Sequence, residues 1–211
     1  MPNQNQYMHQ SIAQAVSDHE IDTIFGLVGD ANLFIVNHFV SECGGTLVPA
    51  AHEGGTVLMA QAYTQVTKQV GVATVTQGPG LTNCVTALRE GVVARRPMIL
   101  LCGDTPVTAS FHPQNIDQRE VVKATGAGFE QVQSPGTASR DVARAIYRAR
   151  MEKRPIVVNI PSDYMWAEIV HKKVVFSFNE SPTVITEGSV HEEAIGMIIS
   201  AKRPLILAGE G

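Results

Sequence analysis

The chain has 211 residues, of which 44% are hydrophobic and 17% charged, so it can bury a sizeable core and wholesale disorder is excluded. The formal net charge is −4 without a block of like charges, which excludes a nucleic-acid footprint and a polybasic membrane patch. The three cysteines are too far apart for a disulfide framework or a metal pair, the amino terminus lacks a secretory signal, and no apolar run reaches the roughly 20 residues of a membrane span. A soluble, cytoplasmic protein is therefore expected.

Strand-like and helix-like patterns alternate along the first 163 residues. In chain order, the sequence predicts a helix over 11–19, a strand over 22–29, a helix over 31–42, a strand over 45–51, a helix over 54–68, a strand over 70–76, a helix over 79–94, a strand over 97–103, an irregular segment over 104–118, a helix over 139–153 and a strand over 154–163. Near-continuous apolar strands that alternate with helices are typical of a parallel sheet covered on both faces. The predicted fold class is α/β, a doubly wound parallel sheet with helices on both faces.

The pattern changes after residue 171. Residues 172–189 contain Pro, Ser, Asn and Gly without an amphipathic period and are predicted to be a linker. Residues 190–211 begin a new helix and a strand, PLILAG over 204–209. A βαβ unit takes about 30 residues or more, so this pair cannot bury a core alone. We expect the chain to be the amino-terminal part of a longer protein.

Four polar or glycine-containing segments lie where predicted strands end. These segments are FGLVGD (25–30), AAHEGG (50–55), TQGPGLTN (76–83) and CGDTP (102–106). Ligands of open parallel sheets bind at the carboxyl ends of the strands, so these segments are predicted to meet at one site. In the third segment, Pro79 suits the first helical position, while Gly78 and Gly80 let a ligand approach the backbone. A plain strand-to-helix turn is the alternative for this segment.

Glu53 is the sharpest single candidate because it follows an apolar strand. It is either a carboxylate in the first turn of a helix, favoured by the helix dipole, or a charge that binds a protonatable ligand nitrogen. His52 is better explained as a packed or solvent-edge residue and Cys102 as an inert core residue. His112 is expected to be a solvated loop residue, with a proton carrier as the alternative.

Together, the motifs HEGGTVLMAQAY (52–63), VGVATVTQGPGLTN (70–83) and RPIVVNIPSD (154–163) resemble the thiamine-diphosphate-dependent enzymes of the acetolactate synthase, pyruvate oxidase and benzoylformate decarboxylase type. FGLVGD and IDQ (116–118) add to the resemblance, which runs from about Ser11 to Ala167. It covers the pyrimidine-binding domain of that family, here residues 1–171, with 190–211 as the start of a truncated central domain. The implied activity is decarboxylation and carboligation of 2-oxo acids.

The resemblance also implies roles for individual residues. Glu53 would hydrogen-bond N1′ of the aminopyrimidine and so activate C2 of the cofactor for attack on a 2-oxo acid. The residues expected to line the cofactor are Val28, Glu53, Thr76, Gly80 and Asn83, and Gln114 is expected on the substrate side. Mg²⁺ and diphosphate ligands are expected outside this chain, and a homo-oligomer, dimer or tetramer, is expected to complete the site. This piece alone would then be inactive.

The sequence departs from the family pattern at several positions near the substrate. Val28 stands where the family usually has Pro, and Gln77 where it has Ser or Thr. Pro113, Gln114 and Asn115 replace a common Phe-Gln-Glu. These changes bear on the substrate more than on the cofactor. A non-catalytic binding or interaction module with the same fold is the alternative function, and a nucleotide-binding domain is disfavoured because neither GxGxxG nor a P-loop is found.

Overall fold

Strands and helices alternate in the computed structural model, which describes residues 5–109, 111–177 and 189–207. The strands are β1 (Asn5–Tyr7), β2 (Thr23–Gly26), β3 (Thr46–Pro49), β4 (Gly71–Val75), β5 (Met98–Asp104), β6 (Gly128–Gln131), β7 (Pro155–Pro161) and β8 (Glu168–Val170). The helices are α1 (Met8–Ser17), α2 (Leu33–Ser41), α3 (Glu53–Thr67), α4 (Pro79–Thr82), α5 (Val85–Val93), α6 (Gln118–Thr125), α7 (Ala138–Glu152) and α8 (Ser189–Ser200).

Six of the strands form one parallel sheet in the order β3-β2-β4-β5-β7-β6. From β2 the chain passes to β3 on one side and then to β4 on the other, so the strand order reverses between β2 and β4. In open α/β sheets, ligands bind outside the carboxyl ends of the strands at such a reversal. The predicted doubly wound parallel sheet is confirmed.

Helices cover both faces of this sheet, as predicted. Apolar residues of α1, α2 and α7 pack on one face, where Ile12, Phe39 and Ile146 are almost completely buried. Residues of α3, α5 and α6 pack on the other face around Val57 and Leu88. Every residue of β4 and β7 is buried between the two layers, which explains their near-continuous apolar sequences.

A short antiparallel pair, β1 with β8, lies outside the main sheet and was not predicted. Asn5 stands opposite Val170 in this pair. Beyond β8, His171 Nδ1 lies 2.8 Å from the Ser11 hydroxyl oxygen, and His171 Nε2 lies 2.9 Å from Asp18 Oδ2. These contacts attach the chain after β8 to α1.

Three segments differ from the predicted elements. The helix predicted over 79–94 is two helices, α4 and α5, and the unassigned residues 119–138 contain most of α6, all of β6 and the start of α7. The strand predicted over 204–209 is not formed at 204–207, because no described strand pairs with its backbone groups. Residues 208–209 lie outside the described residues.

The described chain falls into two units, one ending at Ser177 and one that comprises residues 189–207. The second unit contains α8, in agreement with the predicted helix. Most of the predicted linker, residues 178–188, lies outside the described residues, and the boundaries 1–171, 172–189 and 190–211 remain a prediction. Within the part of the chain that is described, no helix has the length and apolar character needed to span a bilayer.

Candidate functional site

The loops that follow β2, β3 and β4 lie together at the reversal of strand order. The backbone N–H of Leu27, after β2, donates to the Thr74 carbonyl at 3.2 Å, and that of Ala50, after β3, donates to the Gly26 carbonyl at 3.0 Å. The predicted meeting of these segments follows from the parallel pairing of their strands.

Glu53 is the first residue of α3 and is half-buried. The Asn83 amide, from the β4 side, donates to Glu53 Oε2 at 2.9 Å. His52 caps the helix by accepting the Gly54 N–H at 3.1 Å, and a Cβ at Gly54 would lie 3.1 Å from the Asn83 carbonyl oxygen. Glu53 is therefore a carboxylate in the first turn of a helix, and its side chain is also hydrogen-bonded to Asn83, another predicted site residue. Within the described residues, Glu53 Oε1 has no hydrogen-bond partner.

Thr76 joins a second group of polar residues. Its hydroxyl lies 2.8 Å from Asp30 Oδ1 and 2.6 Å from Gln77 Oε1, and its single proton can be donated to only one of them at a time. Gln77 Nε2 donates to Gln114 Oε1 at 2.8 Å, and lies 3.4 Å from Asp30 Oδ2. Desolvation raises the pKa of Asp30, but hydrogen bonds from Thr76 and Gln77 and from the backbone together hold it below the usual value.

The turn after β4 is built on Gly78. Its φ of 59° and ψ of −110° are a conformation that side chains disfavour. A Cβ at this position would lie 2.2 Å from the Gln114 carbonyl oxygen. The loop that carries Gln114 therefore packs directly on the turn that carries Thr76 and Gly80.

Two buried amides were not identified as site residues from the sequence. Gln118 Oε1 accepts the Gly78 N–H at 2.8 Å, and Gln118 Nε2 donates to the Gly103 carbonyl at 2.9 Å and to Asn159 Oδ1. Asn159 Nδ2 donates to Asp104 Oδ2 at 2.6 Å. The sequence signal for these two residues is an amide at the end of the motif IDQ, Gln118, and an amide inside the apolar strand IVVNIP, Asn159. A polar side chain in a buried strand needs hydrogen-bond partners, which points to a network around it.

The predicted site residues thus form two groups on one edge of the sheet, Glu53 with Asn83, and Thr76 with Gln114 through Gln77. Within residues 5–109 and 111–177, no hydrogen bond joins the two groups. Val28 lies on the loop after β2 with 38% of its surface exposed. Gly80 is buried at the start of α4.

Cys102, its fellow cysteine Cys84 and His112 have structural explanations. Burial and the nearby Glu53 charge raise the pKa of Cys84 to about 12, and burial raises the pKa of Cys102 well above its usual value, so neither is a ready nucleophile. His112 Nδ1 accepts the backbone N–H of Gln114 at 3.2 Å, which shapes the loop. In the described ranges, no group of three His, Cys, Asp or Glu side chains is placed to hold a metal ion.

Comparison with known proteins identifies related enzymes. A family model described as thiamine pyrophosphate enzyme, N-terminal TPP binding domain, matches residues 7–122. Similar relatives include the sulfoacetaldehyde acetyltransferase of Roseovarius nubinhibens, 29% identical over 96% of this chain and 33% of its own length. The acetolactate synthase large subunit of Corynebacterium glutamicum is 28% identical over 96% of this chain and 33% of its own length. The chain spans about a third of the length of these relatives.

Proposed function

Because the chain belongs to the thiamine pyrophosphate enzyme family through its N-terminal TPP-binding domain, we propose that it supplies the pyrimidine side of an active site for 2-oxo acids. The proposed reaction is acetolactate-synthase-like decarboxylation followed by carboligation. Some relatives of this chain are named for sulfoacetaldehyde and others for acetolactate, so an assay should test sulfoacetaldehyde as a substrate beside pyruvate and a second 2-oxo acid.

The observation that carries the proposal is the Glu53 carboxylate with one oxygen paired and one available. Asn83 occupies Oε2 at 2.9 Å and orients the carboxylate. Oε1, which has no partner among the described residues, suits a hydrogen bond from N1′ of an aminopyrimidine. Thiamine diphosphate, when bound, supplies the electron sink for the carbanion left by decarboxylation. Glu53 would hold the proton at N1′, and partial burial strengthens that contact.

Other residues of the same edge have supporting roles in this proposal. Val28, Thr76 and Gly80 would line the cofactor, and Gln114 would lie on the substrate side. The Mg²⁺ and diphosphate ligands would come from outside this chain.

A homo-oligomer, dimer or tetramer, is proposed as the assembly that completes the site. The supporting observation is the exposed apolar side chains on α3 and α5, two helices that pack against each other. Leu58, Val66, Val85 and Val93 are between 37% and 81% exposed. Large exposed apolar patches mark protein interfaces. These side chains lie on the two helices that begin at Glu53 and two residues after Asn83.

The test is Glu53→Gln in the complete protein. Turnover should fall by about 10²- to 10⁴-fold, because the amide cannot hold the N1′ proton, while the circular dichroism spectrum stays unchanged. Glu90→Gln, at an exposed position of α5, is the matched control and should keep wild-type turnover. Near-normal turnover of Glu53→Gln would refute the role of Glu53. Absence of cofactor binding by the wild-type protein would favour the non-catalytic alternative.

A further inference from the structure

Gln77 connects two side chains that come from different parts of the chain. It lies two residues after β4 with 2% of its surface exposed, Asp30 comes from the loop after β2, and Gln114 comes from the loop before α6. Gln77 Nε2 donates to Gln114 Oε1 at 2.8 Å and approaches Asp30 Oδ2 at 3.4 Å. Ser or Thr, the usual residue of the family at this position, has too short a side chain to reach both Gln114 and Asp30.

The chemistry of Asp30 fixes the direction of the hydrogen bonds along this connection. An ionised carboxylate only accepts hydrogen bonds, so it favours the orientation in which Gln77 presents its NH₂ group. The same NH₂ group then meets the carbonyl oxygen of Gln114. Gln114 is left with its own NH₂ group, which has no hydrogen-bond partner within residues 5–109 and 111–177.

We propose that Gln77 is a positioning residue that holds Gln114 with its NH₂ group directed to the substrate, so that the site selects substrates carrying an anionic or carbonyl oxygen at that point. Gln114 faces the substrate only under the proposed function, on which this role of Gln77 therefore rests. A substrate with a hydroxyl or ammonium donor at the same point would meet a donor and be disfavoured.

The first test measures the Gln114 side chain itself and needs no activity. In the 211-residue chain, ¹⁵N relaxation of the Gln114 NH₂ group should report a rigid side chain, assigned by loss of its signal in Gln114→Ala. Gln77→Leu should lower its order parameter to the range of flexible side chains. Asp30→Asn, at an exposed position, should lower it less. Gln69→Leu, at an exposed position before β4, is the control and should leave it unchanged. An unchanged order parameter in Gln77→Leu would overturn the proposal.

The second test is kinetic and uses the complete protein. Gln77→Leu should raise KM for the 2-oxo acid about tenfold, since Gln114 is no longer held, while kcat and the affinity for thiamine diphosphate stay within about twofold. The double variant Gln77→Leu/Gln114→Ala should have the same KM for the 2-oxo acid as Gln114→Ala alone, because both substitutions remove the same interaction. Additive losses, or an equal loss of cofactor affinity, would overturn the proposal.

Failure of the proposed function has a different signature. A wild-type protein that neither binds thiamine diphosphate nor turns over 2-oxo acids would refute the function and the substrate role of Gln77 together. A wrong role for Gln77 alone leaves wild-type turnover and the loss in Glu53→Gln intact.

Discussion

Glycine at position 78 is required both by its backbone and by its neighbour. Its φ is 59°, and a Cβ would lie 2.2 Å from a backbone oxygen of the Gln114 loop, which cannot move away as the end of a flexible side chain can. The turn that presents Thr76 and Gly80 is therefore coupled to the loop that presents Gln114. A side chain at position 78 would displace both halves of the second polar group at once.

We predict that Gly78→Ala destabilises the 211-residue chain by about 3 kcal/mol or more in urea denaturation, from backbone strain and the displaced loop together. Gly44→Ala is the matched control, because Gly44 also has a positive φ, 70°, but no other part of the described chain comes within 4 Å of its added Cβ. The control should cost only the strain, about 1 kcal/mol. Equal losses in the two variants would mean that the Gln114 loop yields easily.

At the level of elements, Gln118 at the start of α6 holds three segments of the carboxyl edge together. It accepts from the turn after β4, at Gly78, and donates to β5, at Gly103, and to β7, at Asn159. It is 3% exposed, so no water replaces these partners without rearrangement. The helix α6 is thereby fixed to the edge where the candidate site lies.

We predict that Gln118→Leu lowers the free energy of unfolding by about 3 kcal/mol, because it leaves buried backbone and amide groups without partners. Gln133→Leu, at an exposed position after β6, should change it by less than about 0.5 kcal/mol. Urea denaturation of the two variants measures the difference. A loss below about 1 kcal/mol in Gln118→Leu would show that the surrounding groups find other partners.

The elements that the sequence predicted and those it missed differ in what stabilises them. The strands β4, β5 and β7 are apolar along most of their length, so their composition alone indicates burial. The strand β6 contains Glu130, which can be buried because Arg144 and Arg148 pair with it. A charged residue in so short a segment interrupts the apolar pattern, so the sequence does not indicate a strand there. The strands β1 and β8 have three residues each and pair with each other, although residues 8–167 lie between them in the sequence. Local sequence patterns therefore do not indicate them.

The candidate site was predictable to a similar extent. Resemblance indicated Glu53, Asn83, Thr76 and Gln114 because they lie in or near recognisable motifs, and the structure places them in two groups. Their roles remain a prediction. The connection through Gln77 was not predictable, since it depends on how three separate loops meet in space.

On the scale of the whole molecule, the exposed apolar side chains on α3 and α5 form surface that a single chain leaves in contact with water. Val66 is 81% exposed and Leu58 is 49% exposed, although both lie on a helix whose other side packs on the sheet. Apolar area of this kind is ordinarily covered by another subunit.

We predict that the 211-residue chain self-associates, and that Leu58→Glu with Val66→Lys shifts it to monomer without unfolding it. Sedimentation equilibrium at several concentrations gives the mass, and circular dichroism checks the fold. The control pair, Lys68→Glu with Glu90→Lys, changes exposed charges without reducing apolar area. A wild-type chain that stays monomeric at high concentration would contradict the prediction.

The pairing of β1 with β8 brings together two strands that are far apart along the chain. Because Asn5 stands opposite Val170, the first strand of the sheet-containing unit lies beside its last strand. A short peptide link between them would span little distance, and new ends opened at the exposed turn near Gly44 would leave all six sheet strands intact. The unit is thus suited to circular permutation, by which Glu53 and Gln114 would keep their places while their sequence positions changed.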